Sequence, residues 1–368
     1  VTLIYLSIIL FVGSFCLSVI LTDVTRRFSL RVGFVARPAK DRYHETVIPL
    51  GGGIAIFATL AAFILISIAV VKLLIAPGHL DWLSESITIH TQGFLGKVNQ
   101  LIIVLICAAV LFLVGLWDDK KHLGPFFKLA VQLAVALIAA GLADVRVEFF
   151  IQNKLITTIL SALWIVFIIN AFNFLDNMDG LAAGIAIIVA AILFSAAAMS
   201  GQLFIGGLAL VFIGTLVGFW VFNFPPAKIF MGDAGSLVVG FFLALLTLRT
   251  TYYHQAQSGQ WYAVLMPLVV MAVPFYDFIS VTVLRISQGK SPFVGDTQHF
   301  SHRLKKRGLT DRQTVLTLYL ATLCTGLGAI FLSQVNLAGA VLIFIQTFMI
   351  LTIIAILEAT NQNDTSGN

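Results

Sequence analysis

The sequence has 368 residues, 59% of them hydrophobic and 11% charged, with a formal net charge of +5 and a mean hydropathy of +1.01. A soluble domain carries about 45–50% apolar and about 25% charged residues, so an ordinary soluble globule is excluded, as are a disordered chain, a collagen and a nucleic-acid binder. The solvent this composition fits is lipid, and the 29 glycines agree, since glycine lets membrane helices pack closely.

A spanning helix needs about 20 mainly apolar residues. In chain order such runs lie near 3–22, 50–75, 98–117, 127–143, 156–172, 180–199, 203–224, 236–249, 262–284, 313–333 and 337–357. They predict an all-α polytopic membrane protein of about 11 transmembrane helices. The eighth run is short, and the fourth carries Lys128 at its start. The first is expected to be a retained span rather than a leader, because no basic residue precedes it and Arg26 and Arg27 follow. Connections on the cytoplasmic side carry the excess of Lys and Arg. Lys72, Lys97, Arg146, Lys154 and Arg249 fall on one side, and the other 17 of the 22 fall opposite. The richer side is therefore the cytoplasm, with the N-terminus outside and the C-terminus cytoplasmic. The organisation expected is one transmembrane domain over 1–357 and a disordered polar tail over 358–368. Cys16, Cys107 and Cys324 each sit in an apolar run, far apart, and make neither a disulfide framework nor a metal spacing.

Chemistry gathers on one face. Asp118, Asp119, Asp176, Asp179, Asp233, Asp277 and Asp296 all fall in cytoplasmic connections or at the cytoplasmic ends of helices, and ionisable residues beside lipid tend to mark function. In Asn170-Ala-Phe-Asn173-Phe-Leu-Asp176-Asn177-Met-Asp179-Gly180 the polar groups recur every three residues, a spacing that sets Asn170, Asn173 and Asp176 along one helix face. Such a seam suits Mg²⁺, which takes one or two carboxylates plus substrate phosphates; a polar helix–helix contact is the alternative. In Phe230-Met231-Gly232-Asp233-Ala234-Gly235 a carboxylate stands between glycines at a helix start, where backbone N–H groups can face a phosphate. The adjacent pair Asp118-Asp119 repels itself, so one group is held neutral or both need a cation. The basic loop Asp296-Thr-Gln-His299-Phe-Ser301-His302-Arg303 suits a diphosphate, because Arg grips phosphate oxygens bidentately and His shuttles protons. Arg42 and His44, ahead of Pro49 and Gly51-Gly52-Gly53, add a further candidate phosphate contact.

These motifs together resemble the polyprenyl-phosphate N-acetylhexosamine-1-phosphate transferase family. The match runs through Arg42, His44, Pro49 and Gly52-Gly53; Asp118-Asp119; Lys128 with Gln132; Asn170, Asn173, Asp176, Asp179 and Gly180; Phe230-Met231-Gly232-Asp233; Pro274 and Asp277; Ser291-Pro292-Phe293 and Asp296; and His299, His302 and Arg303. The resemblance implies attack of a polyprenyl phosphate on the β-phosphate of a UDP-sugar, giving polyprenyl-diphospho-sugar and UMP, with Mg²⁺ required or Mn²⁺ in its place. It implies Asn173 and Asp233 as metal ligands, Phe230 and Asp179 at the uracil, and Asp118 as base for the lipid phosphate. Asp119 and Lys128 would position phosphates, Asp176 would belong to the catalytic group, and Asn170, Arg42, His44 and Asp296 to the substrate site. His299, His302 and Arg303 would hold the diphosphate or sugar.

The implied partners are a UDP-sugar, a polyprenyl phosphate, the bilayer and a second copy of the chain, and the implied place is the inner membrane with the site facing the cytoplasm. The pattern Asp296-x-x-His299-x-Ser301-His302-Arg303 is nearer the N-acetylglucosamine branch than the peptidoglycan branch, whose members carry three consecutive histidines; Ser301 stands where a histidine is usual. The rival readings are a phospho-MurNAc-pentapeptide transferase, a scaffold that has kept the fold, and, from another class, a secondary transporter.

Overall fold

The computed structural model describes residues 2–36, 47–79, 88–147, 151–252, 260–291 and 299–359. The chain is a helical bundle: α1 (Thr2–Val32), α2 (Gly52–Val70, extended by a π-helical turn to Ile75), α3 (Thr91–Lys121), α4 (Pro125–Gly141), α5 (Lys154–Leu175), α6 (Leu181–Met199), α7 (Leu203–Asn223), α8 (Gly232–Arg249), α9 (Met266–Val270), α10 (Ala272–Ser287), α11 (Phe300–Lys306), α12 (Asp311–Ile330) and α13 (Leu337–Ala359). Two short strands, Val35–Ala36 (β1) and Ile48–Pro49 (β2), pair antiparallel, and Leu50 bridges to Phe230.

Local chemistry sets the ends. Pro125 opens α4, where its missing N–H costs nothing. The Asn153 side chain accepts the N–H groups of Leu155 and Ile156 at the start of α5, and Thr310 with Gln313 forms a capping box at α12.

Among the described residues nine helices are long and apolar enough to cross a membrane. The expected ninth span is a helix pair bent by 62° between Val270 and Ala272, which counts as a tenth if taken as one span. The expected fourth span, α4, has 17 residues and falls short of that length. The last helix runs past the expected boundary at 357, to Ala359, because Glu358 is held by contacts from α10 and α11; residues 360–368 lie outside the described residues.

Helix α8 sits at the centre, packed by α2, α3, α5 and α6. Its span-length window is 78% buried inside the protein, against 11% for α1 at the perimeter. Small residues make this possible. A Cβ on Gly53 of α2 would lie 2.3 Å from Gly235 N, and one on Gly240 would lie 2.7 Å from Ile169 Cα. Perimeter side chains such as Phe348, Leu342 and Leu155 stay exposed, as lipid-facing positions require.

Candidate active site

Four helix ends converge, those of α3 and α5 at their C-termini and of α4 and α8 at their N-termini. Asp118 and Asp119 lie in the last turn of α3, which approaches α8 so closely that a Cβ on Gly115 would stand 2.5 Å from Ala234 Cα. Lys128, in the first turn of α4, reaches back with Nζ 2.9 Å from Asp118 Oδ2 and 2.9 Å from Asp233 Oδ2. The other Asp118 oxygen accepts the Leu123 N–H at 2.5 Å. From α5, Asn173 Nδ2 donates to Asp233 Oδ1 at 3.1 Å and to Ser236 Oγ at 2.9 Å. Asp176, just past the end of α5, has its carboxyl raised well above the usual range, first by burial and then by Asp233, Asp119 and Asp179, against a hydrogen bond from Gly232 N–H.

Two groups expected at the substrate site are already committed. The N-terminus of α8 holds a carboxyl group of the protein itself: Asp119 Oδ1 accepts the Asp233 N–H at 2.8 Å and Oδ2 accepts the Ala234 N–H at 3.2 Å. A carboxylate there satisfies orphan donors and the helix dipole, so those N–H groups do not face a substrate phosphate. Asn170, one turn before Asn173, donates to Gln132 Oε1 at 2.5 Å and to Val166 O at 2.8 Å, which makes it an α4–α5 helix contact.

The turns after α5 and α7 form a second unit. Asp179 Oδ2 accepts the Ala227 N–H at 2.8 Å. Asn223 ties both turns together, accepting the Gly180 N–H at 3.1 Å and donating to Ile229 O at 2.9 Å. Gly180, at φ 71°, adopts the left-handed conformation that favours glycine, and its carbonyl accepts the Tyr319 hydroxyl. Phe230 is fixed by its backbone, its N–H donating to Pro49 O and its C=O accepting the Gly52 N–H, each at 2.9 Å.

The histidine segment forms a third. Asp277 is fully buried in α10, with Oδ2 2.9 Å from His299 Nδ1 and Oδ1 accepting the Phe300 N–H at 3.1 Å. His302 is pushed down to about 4 by burial and by the neighbouring His299. Ser301 donates to Asn177 Oδ1 at 2.5 Å, and the Phe174 and His299 rings meet at 5.9 Å. Residues 173–177 therefore touch the carboxylate cluster through Asn173 and the histidine segment through Asn177. Arg303 binds Ser280 Oγ at 3.0 Å and Glu358 Oε2 at 2.9 Å. A cavity of about 730 Å³ lies between α10 and α13, apolar apart from Tyr276, Ser280, Thr347 and Arg303.

Arg42, His44 and Asp296 lie outside the described residues. Several positioning residues have no role in the sequence reading: Gln132 is only a matched position, Asp277 only a matched position and one of the cytoplasmic carboxylates, Glu358 only the first residue of the expected tail, and Asn223, Tyr319 and Ser236 do not stand out. Asp277 alone carried a signal, a carboxylate inside an apolar run.

Among the described residues no group of three or more His, Cys, Asp or Glu is arranged to hold a metal ion. The donor chemistry nevertheless fits Mg²⁺, because Asp118, Asp119, Asp176 and Asp233 meet with Lys128 as their cation. Hard oxygen donors in excess over positive charge suit a hard cation completed by substrate oxygens.

Residues 101–251 match the family described as glycosyl transferase family 4. A probable undecaprenyl-phosphate N-acetylglucosaminyl 1-phosphate transferase of Bacillus subtilis is 30% identical over 356 residues, 95% of this chain and 91% of that protein. The chain belongs to glycosyl transferase family 4. A decaprenyl-phosphate N-acetylglucosaminephosphotransferase of Mycobacterium tuberculosis is 30% identical, covering 92% of this chain and 86% of its own length. An undecaprenyl-phosphate alpha-N-acetylglucosaminyl 1-phosphate transferase of Yersinia pestis is 26% identical with the same coverage. The glycosyl transferase family 4 match contains every site residue from Asp118 to Asp233 and ends before the histidine segment. Asp118, Asp119, Asp176, Asp179 and Asp233 lie at helix ends or in the turns between them, unlike the midplane sites between repeats that secondary transporters use.

Proposed function

We propose that the chain transfers N-acetylglucosamine 1-phosphate from UDP-N-acetylglucosamine to a polyprenyl phosphate, undecaprenyl phosphate in a bacterial host, as the first membrane step of an envelope polysaccharide. An oxygen of the lipid phosphate bonds to the β-phosphorus of the donor, the bond from that phosphorus to the α,β-bridging oxygen breaks, and UMP leaves. The observation that carries the reading is the meeting of Asp118, Lys128, Asn173 and Asp233 at four helix ends, in a chain whose relatives bear the names of such transferases.

Phosphoryl transfer needs positioning and charge neutralisation more than covalent help. Asp233 and Asn173 would hold Mg²⁺, which would neutralise charge on the donor diphosphate. Lys128 offsets the two carboxylates it bridges and stands beside the incoming phosphate. Asp118 orients the lipid phosphate and takes its proton when it arrives as a monoanion. Asp179 and Phe230, joined through the Asn223 clamp, receive the uracil, and His299 and Arg303 receive substrate phosphate or sugar. The excess of Lys and Arg on the site's connections supports a cytoplasmic site in the plasma membrane. The test is UMP release by purified protein supplied with undecaprenyl phosphate, Mg²⁺ and, separately, UDP-N-acetylglucosamine, UDP-N-acetylgalactosamine and UDP-MurNAc-pentapeptide. Release with the first donor alone, abolished by chelation, is the expected result; release only with the pentapeptide donor would overturn the sugar assignment.

A further inference from the structure

Helix α13 is apolar and uncharged from Leu337 to Leu357, then carries Glu358 in its last turn. This is the wrong sign for that position. The carbonyl end of a helix favours cations, and a carboxylate that is only 9% exposed is costly unless paired. Its partners explain it. Arg303 Nη2 lies 2.9 Å from Glu358 Oε2, and the Tyr276 hydroxyl donates to the same oxygen at 3.2 Å. Arg307, just past the end of α11, donates from Nε and Nη2 to the Glu358 backbone carbonyl at 3.1 and 2.7 Å. Two arginines of the histidine segment thus close on one residue of the last helix.

The two contacts do different work. Arg307 satisfies an orphan carbonyl at the helix end and fastens α13 to α11. Arg303 is held by the carboxylate on one side and Ser280 Oγ at 3.0 Å on the other, both through Nη2, which fixes the plane of the guanidinium. Its Nε and Glu358 Oε1 are buried without a hydrogen-bond partner among the described residues. A guanidinium so fixed keeps the two N–H bonds of Nη1 for a phosphate, since Nη2 is spent and Nε is buried.

We infer that Glu358 is a positioning residue, which orients Arg303 through their buried ion pair so that Arg303 binds a phosphate group of one of the two substrates. The inference rests on the proposed transfer reaction. Glu358 touches no substrate; it acts through Arg303.

The test is steady-state kinetics on the full-length detergent-extracted protein and its Glu358→Gln and Glu358→Ala variants, with UDP-N-acetylglucosamine and undecaprenyl phosphate varied in separate series. Glutamine keeps the shape and removes the charge, so it remains informative if the alanine variant does not fold. Freeing Arg303 is expected to raise KM for one substrate by about tenfold with kcat within about twofold, the signature of lost uniform binding. The substrate whose KM moves identifies the phosphate. Glu358→Gln is also expected to add little to the loss already caused by Arg303→Gln, because the two act as one unit. A lower thermal midpoint with both KM values unchanged, or fully additive losses, would overturn the inference by making Glu358 a packing residue only. Wild-type protein that releases no UMP would overturn the proposed reaction and this inference together, whereas an active wild type with unaltered variants would overturn this inference alone.

Discussion

The Asp119 carboxylate closes the start of the helix that carries Asp233, with Oδ1 accepting the Asp233 N–H at 2.8 Å. The neighbouring Ala234 N–H goes to Oδ2 at 3.2 Å. A Cβ on Gly232 would stand 2.6 Å from Asp119 Oδ2, so the glycine at φ 70° is also what lets the carboxylate come so near. Asp119 thereby sets the position of the Asp233 side chain that Lys128 and Asn173 touch.

If Asp119 is a cap, its removal should cost stability as well as turnover. Asp119→Ala is expected to destabilise the extracted protein by about 0.5–2 kcal/mol, the usual range for losing a helix cap, while Asp119→Asn, which keeps one acceptor oxygen, should lose less. Thermal unfolding alongside UMP release checks this. An inactive alanine variant that melts like wild type would instead mean that Asp119 meets a substrate.

The approach of α3 to α8 depends on Gly115, whose added Cβ would press on Ala234 Cα and N and on Asp233 O, each at 2.5 Å. Gly115→Ala should push the helices apart, cost about 1–3 kcal/mol as overpacking does, and abolish turnover by separating Asp118 from Asp233. Gly96→Ala on the same helix meets nothing within 4 Å and should leave activity intact, or add roughly 0.5–1 kcal/mol of stability. Comparable damage from both variants would show that crowding at Gly115 is not the cause.

Lys128 stands between two carboxylates as a cation would. Lys128→Met should therefore have opposite effects on two measurements. Turnover should fall by about 10²-fold or more, as when an electrostatic donor is removed from an active site, while the more negative cluster should bind divalent cations more tightly. Titration with Mn²⁺ followed by electron paramagnetic resonance reads the second effect, and weaker Mn²⁺ binding would contradict the proposed site.

Some of this was legible in sequence because burial in lipid leaves a linear trace. Runs of about 20 apolar residues mark α2, α5, α6 and α12 closely, and the polar residues interrupting them collect where helices end. What the sequence does not display is which ends meet. Asp119 and Asp233 are 114 positions apart, and nothing in Asp118-Asp119 distinguishes the residue that caps a helix from the one paired to Lys128. Periodicity sets Asn170, Asn173 and Asp176 on one face, but Asn170 meets Gln132, Asn173 meets Asp233 one turn later, and Asp176 lies past the end of the helix. Glu358 reads as the start of a polar tail, because hydropathy falls there, and only its contacts with Arg303 and Tyr276 make it part of the fold.

His302 sets a pH dependence. Its folded value of about 4 lies below the ordinary 6.5, so the unfolded chain takes up a proton that the folded chain refuses. Its contribution is fully present above about 6.5 and is lost as pH falls from there toward about 4. The thermal midpoint of wild type should drop more steeply over that window than that of His302→Gln. Parallel profiles would refute the assignment.

The most direct measurement on the central claim is UMP release from UDP-N-acetylglucosamine and undecaprenyl phosphate by wild type and Asp233→Asn, with and without Mg²⁺. Chelator-sensitive release by wild type and its loss in the variant are expected, with unfolding midpoints close together. Mg²⁺-dependent release by Asp233→Asn at the wild-type rate would contradict it.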